Sequence, residues 1–109
     1  MAWLVRDDDV LAVAEEATSH LGRARGLTGR DDVEGAFVLR PCRQVHTFGM
    51  RFAIDVAFCD RSGTVLHTSC LKPRRVSRLV WRAAFAIEAR SGSFDRWKLA
   101  PGDVVEIKG

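Results

Sequence analysis

Residues 54–71 read Ile-Asp-Val-Ala-Phe-Cys-Asp-Arg-Ser-Gly-Thr-Val-Leu-His-Thr-Ser-Cys-Leu, and this stretch decides the fold. The polar link Asp60–Gly63 predicts an antiparallel hairpin between Ile54–Cys59 and Thr64–Leu71. Apart from Asp55, the first of these strands is apolar on both faces. A strand that avoids water on both faces belongs in the middle of a two-layer structure.

Further short segments rich in β-forming residues lie between turn signals and are predicted as strands. They are Ala36–Leu39, Val45–Phe48, Ala84–Ala89 and Asp103–Ile107. In the third of them, Phe85 and Ile87 alternate with Ala86 and Glu88, which is typical of a half-buried strand. One helical turn is expected within Ser91–Leu99. The expected core is Val56, Phe58, Phe85, Ile87, Val105 and Ile107, with Phe37, Val38 and Trp97 nearby.

The first residues are compatible with two structures. Val10, Val13, Ala14, Ala17 and Leu21 have helical spacing, and the preceding Asp triplet suits a helix N-terminus. The same stretch is equally compatible with a hairpin that turns at the Asp triplet. Periodicity alone does not decide between them.

Length and composition restrict the class of protein. The 109 residues predict one domain over 1–109, and 47% hydrophobic with 28% charged residues is ordinary for a globular protein. No apolar run is long enough for a membrane span, and the first residues carry no signal-peptide pattern, so we expect no membrane partner. The three cysteines (Cys42, Cys59 and Cys70) cannot all pair within one chain, which favours a reducing cytoplasmic location.

Charge is distributed unevenly along the chain. Residues 1–34 carry a net charge of −4, and residues 35–109 carry +7. The segment 72–82 contains no acidic residue, and its candidate anion-binding residues are Lys72, Arg74, Arg75, Arg78, Trp81 and Arg82. Such a segment attracts anions, and an indole ring can stack on a nucleic-acid base. Contact with an anion or nucleic acid is therefore one hypothesis, and a solvated basic loop is the simpler interpretation.

The densest polar cluster contains His46, Thr47, Met50 and Asp55. A carboxylate on an apolar strand needs a partner, because an unpaired buried charge is costly. Asp55 could accept hydrogen bonds from backbone N–H groups, or from Arg25 or Arg30, with His46 as a core residue. Alternatively, His46, Thr47, Met50 and Asp55, with Arg25 and Arg30, line a cleft for a small polar ligand or a peptide. The second arrangement makes the protein a binding or accessory module, and it is the function that we expect first.

Enzyme chemistry receives less support from the sequence. Cys42 and His46 with His67 and Cys70 have donor types that suit zinc, but their spacing is loose. Cys42, His46 and Asp55 can be written as a nucleophilic triad, yet no nucleophile elbow is present. We therefore assign no catalytic residue, metal or cofactor, and a hydrolase or zinc protein is the less favoured hypothesis.

Three stretches resemble a known family. They are Arg25-Gly-Leu-Thr-Gly-Arg30, the block from Pro41 to Asp60 that contains His-Thr-Phe-Gly-Met, and Leu99-Ala-Pro-Gly-Asp103. Together they resemble the family called domain of unknown function 192, in particular members with the His-Thr-Phe-Gly-Met motif. Two positions differ from its pattern, Ala53 where proline is usual and Thr28 where Leu or Met is commoner.

The resemblance implies a mainly β structure, a compact antiparallel β-sandwich or barrel-like domain with one or two short helices. It favours the hairpin for residues 2–14 and places a short helix over about 16–25. The family's function is not established, so the resemblance predicts a fold and not a reaction.

Overall fold

The structure is a computed structural model that describes residues 1–17 and 33–109. Seven strands and one short helix form in this part of the chain. The strands are β1 (Ala2–Arg6), β2 (Asp9–Ala17), β3 (Ala36–Leu39), β4 (Ile54–Cys59), β5 (Val65–Leu71), β6 (Phe85–Arg90) and β7 (Glu106–Lys108), and helix α1 (Ser93–Trp97) lies between β6 and β7. The predicted mainly β class with a short helix is confirmed.

All seven strands belong to one sheet in the order β5-β4-β6-β3-β2-β1-β7. Neighbouring strands are antiparallel, except that β2 and β3 run parallel. The sheet is therefore mixed, a detail that hairpin signals in the sequence do not reveal. Parallel neighbours need a crossover connection, and residues 18–32 of that connection lie outside the described residues.

The two edges of the sheet approach each other where Thr64, just before β5, forms a bridge with Val104. Val65 donates to the carbonyl of Asp103 at 2.8 Å, and Val105 donates to that of Gly63 at 2.9 Å. Gly63 has a φ of +89°, and a Cβ there would lie 2.0 Å from the Val105 carbonyl oxygen, so only glycine fits. The sheet curls into a sandwich-like shape without closing into a barrel.

Strand β4 separates two hydrophobic cores because all six of its residues are buried. The helix-side core contains Ala57 and Cys59 of β4 and the ring of Phe94 from α1. The loop-side core contains Ile54, Val56 and Phe58 of β4, and it is covered by the side chains of Val45 and Met50, among others. Alternation along a strand therefore places Asp55 on the helix-side face.

Most predicted elements are present with small differences at their ends. The β4–β5 hairpin is confirmed, and β1 and β2 form the hairpin that the family resemblance favours. A helix cannot begin at residue 16, because Glu16 and Ala17 belong to β2, and the remainder of the predicted helix lies outside the described residues. The predicted strand Val45–Phe48 is reduced to one bridge between His46 and Val76. The last strand begins at Glu106 rather than at Asp103.

The expected core is largely confirmed. Val56, Phe58, Phe85, Ile87 and Val105 are all buried, as are Phe37 and Val38. Ile107 and Trp97 are only partly buried and pack against the helix-side core.

Truncation of Phe58 tests the packing of β4. Since its ring is fully buried, Phe58→Ala should lower the free energy of unfolding by about 3–5 kcal/mol, as expected for loss of a buried ring. Urea denaturation followed by circular dichroism measures this loss. The exposed Val104→Ala serves as control and should change stability by less than about 0.5 kcal/mol. A loss below about 1 kcal/mol for Phe58→Ala would contradict the described burial.

Candidate functional site

Two segments that are distant in sequence lie side by side on the loop-side core. We call residues 43–48 and 72–82 together the ribbon. Val80 donates to the carbonyl of Arg43, Ser77 to that of Val45 and Thr47 to that of Arg75, each at 2.8 Å. The His46 loop and the basic segment, two separate candidates in the sequence, therefore form one surface.

Thr47 fixes this arrangement. Its side chain is fully buried, and its hydroxyl donates to the carbonyl of Lys72 at 2.6 Å while accepting from the backbone N–H of Arg75 at 2.8 Å. Its own carbonyl accepts from the N–H of Arg74 at 3.1 Å. Because a buried hydroxyl needs partners, Thr47 is accounted for by these bonds and acts as a structural clamp.

Side chains alternate between buried and exposed along residues 45–48 of the ribbon. Val45 and Thr47 point inward and are buried, whereas His46 and Phe48 between them are exposed. The His46 and Phe48 rings contact each other, with their centroids 5.6 Å apart. The interpretation of His46 as a core residue is therefore wrong, since its ring lies at the surface.

The exposed surface of the ribbon is basic and aromatic. The ribbon sequence contains six basic residues and no Asp or Glu, and all six basic residues are exposed: Arg43, Lys72, Arg74, Arg75, Arg78 and Arg82. Large apolar side chains stand among them, namely Phe48 (51% exposed), Val76, Leu79 and Trp81 (70% exposed). Four large apolar side chains thus lie exposed within one short, basic surface, where an interaction with a partner would cover them.

Asp55 lies on the opposite face of β4 from the ribbon. Its Oδ2 atom accepts hydrogen bonds from the backbone N–H groups of Gly92 and Phe94, both at 3.0 Å. The carboxylate thus satisfies backbone donors at the β6–α1 turn, as one of the two sequence hypotheses expects. Arg25 and Arg30, the other partners considered, lie outside the described residues.

The structure does not bring the proposed four-residue cleft together. Met50 packs in the loop-side core, Thr47 bonds within the ribbon and His46 faces outward, while Asp55 lies on the helix-side face. Asp55 instead lines a groove of about 600 Å³ on its own side of the sheet. Asp55 lies apart from His46, Thr47 and Met50, although they are close in sequence. Side chains alternate along β4, so Asp55 faces the opposite side of the sheet from Ile54.

The alternatives based on cysteine and histidine are not assembled either. Within residues 1–17 and 33–109, no three His, Cys, Asp or Glu side chains are grouped as metal ligands would be. The thiol of Cys42 donates to the carbonyl of Gln44 at 3.3 Å, and Asp55 is across the sheet from His46. Burial raises the pKa of the Cys59 thiol to about 12, so this thiol stays protonated and unreactive.

Glu88 is a buried acid that the sequence did not single out. Glu88 is only 3% exposed, and among the described residues its Oε1 atom has no hydrogen-bond partner. In the register of the sheet Glu88 lies between Phe37 of β3 and Val56 of β4, both in the loop-side core. Burial raises the pKa of its carboxyl from 4.5 to about 7. The alternation of β6 predicted which face Glu88 occupies, but not that this face is covered.

Fold and surface together define a mainly β domain with an exposed basic, aromatic ribbon. The chain belongs to the family DUF192, described as "Uncharacterized ACR", whose profile matches residues 2–107. Comparison with curated proteins gives no match. In the described part of the chain, no helix has the length and apolar character to cross a membrane.

Two solved structures are similar to this one. A protein of unknown function from Novosphingobium aromaticivorans is 16% identical, with a TM-score of 0.79 over 96% of this chain and 82% of its own. A "putative transcription regulator" from Sinorhizobium meliloti is 20% identical, with a TM-score of 0.78 over 96% of this chain and 90% of its own. At these identities the similarity shows a shared fold.

The role of Asp55 in stability is testable by substitution. Asp55→Ala leaves the N–H groups of Gly92 and Phe94 without their acceptor, which should cost about 2–4 kcal/mol. Asp55→Asn keeps an acceptor oxygen and should cost roughly 1 kcal/mol. Urea denaturation measures the free energy of unfolding of both variants. Asp95→Ala, a substitution at an exposed position of α1, is the control. Equal stability of Asp55→Ala and Asp95→Ala would show that the two hydrogen bonds contribute nothing.

Glu88 should make stability depend on pH. Since the native carboxyl has the higher pKa, unfolding releases a proton between about pH 4.5 and 7, and stability falls as pH rises through this range. Above pH 7 the buried carboxyl is ionised, and this lowers the free energy of unfolding by its full amount, on the order of 3 kcal/mol. Glu88→Gln should therefore unfold at higher temperature than wild type at pH 8 and at a similar temperature at pH 4.5.

Thermal unfolding at both pH values, with the exposed Glu34→Gln as control, measures the effect of Glu88. Glu34→Gln should follow the wild-type pH dependence. If Glu88→Gln also follows the wild-type pH dependence, the Glu88 carboxyl does not have a raised pKa in the folded protein.

Proposed function

We propose that this protein is a binding module that contacts single-stranded nucleic acid through the ribbon. The observation that carries the proposal is the coincidence of six exposed basic side chains, no carboxylate in the ribbon sequence, and the exposed rings of Phe48 and Trp81. This is the anion-contact hypothesis of the sequence, extended to a surface that also includes Arg43, His46 and Phe48.

The positive charges suit a phosphate backbone. Arg74 and Arg78 lie on either side of Val76, which pairs with His46 across the ribbon. Arginine and lysine side chains bind phosphates and release counterions, and this gives affinity that falls with salt. A basic surface alone would bind any polyanion, so the charges explain attraction but not a preference for nucleic acid.

The exposed rings provide that preference. Bases of a single strand stack on aromatic side chains, whereas bases inside a duplex are not available for stacking. Trp81 is 70% exposed and Phe48 51%, although both are large apolar side chains. The similar structure from Sinorhizobium meliloti is described as a "putative transcription regulator", and a nucleic-acid contact of this chain is compatible with that description.

The compartment is part of the same proposal. No disulfide joins Cys42, Cys59 and Cys70, the three cysteines of the chain. Free thiols persist in a reducing environment, which supports a cytoplasmic location. Nucleic acid is accessible in that compartment.

Fluorescence anisotropy with a labelled 20-nucleotide oligo(dT) tests the proposal. We expect salt-dependent binding that is weaker for a duplex of the same length. Because stacking on one ring contributes about 1–3 kcal/mol, Trp81→Ala should weaken binding at least fivefold. Trp3→Ala is the matched control, since Trp3 is also exposed but lies on β1.

Charge variants complete the same measurement. Replacing Arg74 and Arg78 with Gln should reduce the slope of log affinity against log salt by about 1.4, since each lost phosphate contact removes about 0.7. Arg61→Gln, an exposed change in the β4–β5 link, should leave the slope unchanged. No binding at low salt, or equal effects of Arg61→Gln and the ribbon variants, would disprove the proposal.

A further inference from the structure

A groove lies on the other side of β4, away from the ribbon. The groove that contains Asp55 has a volume of about 600 Å³ and lies between β5, the β6–α1 turn and residues 98–100. This volume suits a small ligand. Its walls carry the hydroxyls of Thr68 and Ser91 and the thiol of Cys70, whose sulfur is 3.3 Å from the Ser91 oxygen.

Asp55 is the fixed polar group of this groove. Its side chain is 93% buried, and Oδ2 is held by the N–H groups of Gly92 and Phe94. Among the described residues, no group donates a hydrogen bond to Oδ1. This oxygen is not one of the fully buried unpaired atoms, and Asp55 lines the groove. The backbone bonds therefore hold the carboxylate so that its second oxygen is available to a ligand.

Charge selects the class of ligand. Among the lining residues, Asp95 and Lys98 contribute one charge of each sign, so the Asp55 carboxylate makes the lining net negative. An ionised carboxylate only accepts hydrogen bonds, and its strongest donors are cationic groups. Phe94 and Leu99 add carbon surface for an aliphatic chain.

We propose that the groove binds a small molecule that donates a primary ammonium or guanidinium group to Oδ1 of Asp55. The site is independent of the ribbon: it lies on the opposite face of β4 and selects the opposite charge. A ligand in this groove would sit directly against the β6–α1 turn, because the same carboxylate holds that turn in place.

Agmatine, which carries both cationic groups, is a suitable probe, and the uncharged 4-hydroxybutylurea is its matched control. Two-dimensional ¹H–¹⁵N NMR of the full chain reports binding through the amide signals of Gly92 and Phe94, which contact Asp55 directly. We expect saturable shifts of these signals with agmatine. The neutral probe should bind at least tenfold more weakly.

Two variants change the affinity in opposite directions. Asp55→Asn keeps an acceptor for the turn and presents an NH₂ donor to the groove, so agmatine should bind at least tenfold more weakly. Lys98→Asn removes the opposing positive charge and should strengthen binding two- to threefold. Asparagine also tolerates the left-handed conformation of residue 98, whose φ is 54°.

The dispersion of the NMR spectrum shows whether each variant is folded. If Asp55→Asn fails to fold, two other results still test the proposal. They are the higher agmatine affinity of Lys98→Asn and the tighter binding of agmatine than of the neutral probe. Shifts that do not saturate, equal binding of the two probes, or unchanged affinity in Lys98→Asn and a folded Asp55→Asn would overturn the proposal.

Discussion

The burial of β4 on both faces is the constraint on which the rest of the structure depends. Each residue from Ile54 to Cys59 must face one of two cores, so neighbouring residues are sent to opposite sides of the sheet. Ile54, Val56 and Phe58 support the layer beneath the ribbon, and Asp55 faces the turn before α1. The basic surface and the groove that contains Asp55 therefore lie on opposite faces of the sheet and differ in the sign of their charge.

Hydrogen bonds between distant segments hold both the ribbon and the groove in place. Thr47 joins the His46 loop to residues 72–75, which are more than 20 positions away in sequence. Asp55 makes an equivalent connection to Gly92 and Phe94, at a still larger separation. In each case one buried polar side chain satisfies backbone donors or acceptors of a segment distant in sequence and so fixes the position of that segment on the sheet. Glu88 differs from both, because its buried Oε1 atom finds no hydrogen-bond partner within residues 1–17 and 33–109.

Local patterns were sufficient to predict the β4–β5 hairpin, since Ile54–Cys59 is apolar on both faces and the Asp60–Gly63 link is a turn. They were not sufficient to predict the sites. The pairing of His46 with Val76 and the capture of Asp55 by the β6–α1 turn are long-range contacts. The burial of Glu88 likewise depends on what covers the sheet, since the same alternation suits an exposed face. Proximity in sequence suggested that His46 and Asp55 act together, and strand alternation separates them.

Chemical-shift mapping with an unlabelled oligo(dT) tests the central claim most directly, because it locates the nucleic acid on the folded chain. The account predicts that amide signals of the ribbon, residues 43–48 and 72–82, shift on titration while those of Gly92 and Phe94 stay in place. Shifts concentrated around Gly92 and Phe94, or a ribbon that remains unaffected at low salt, would contradict it.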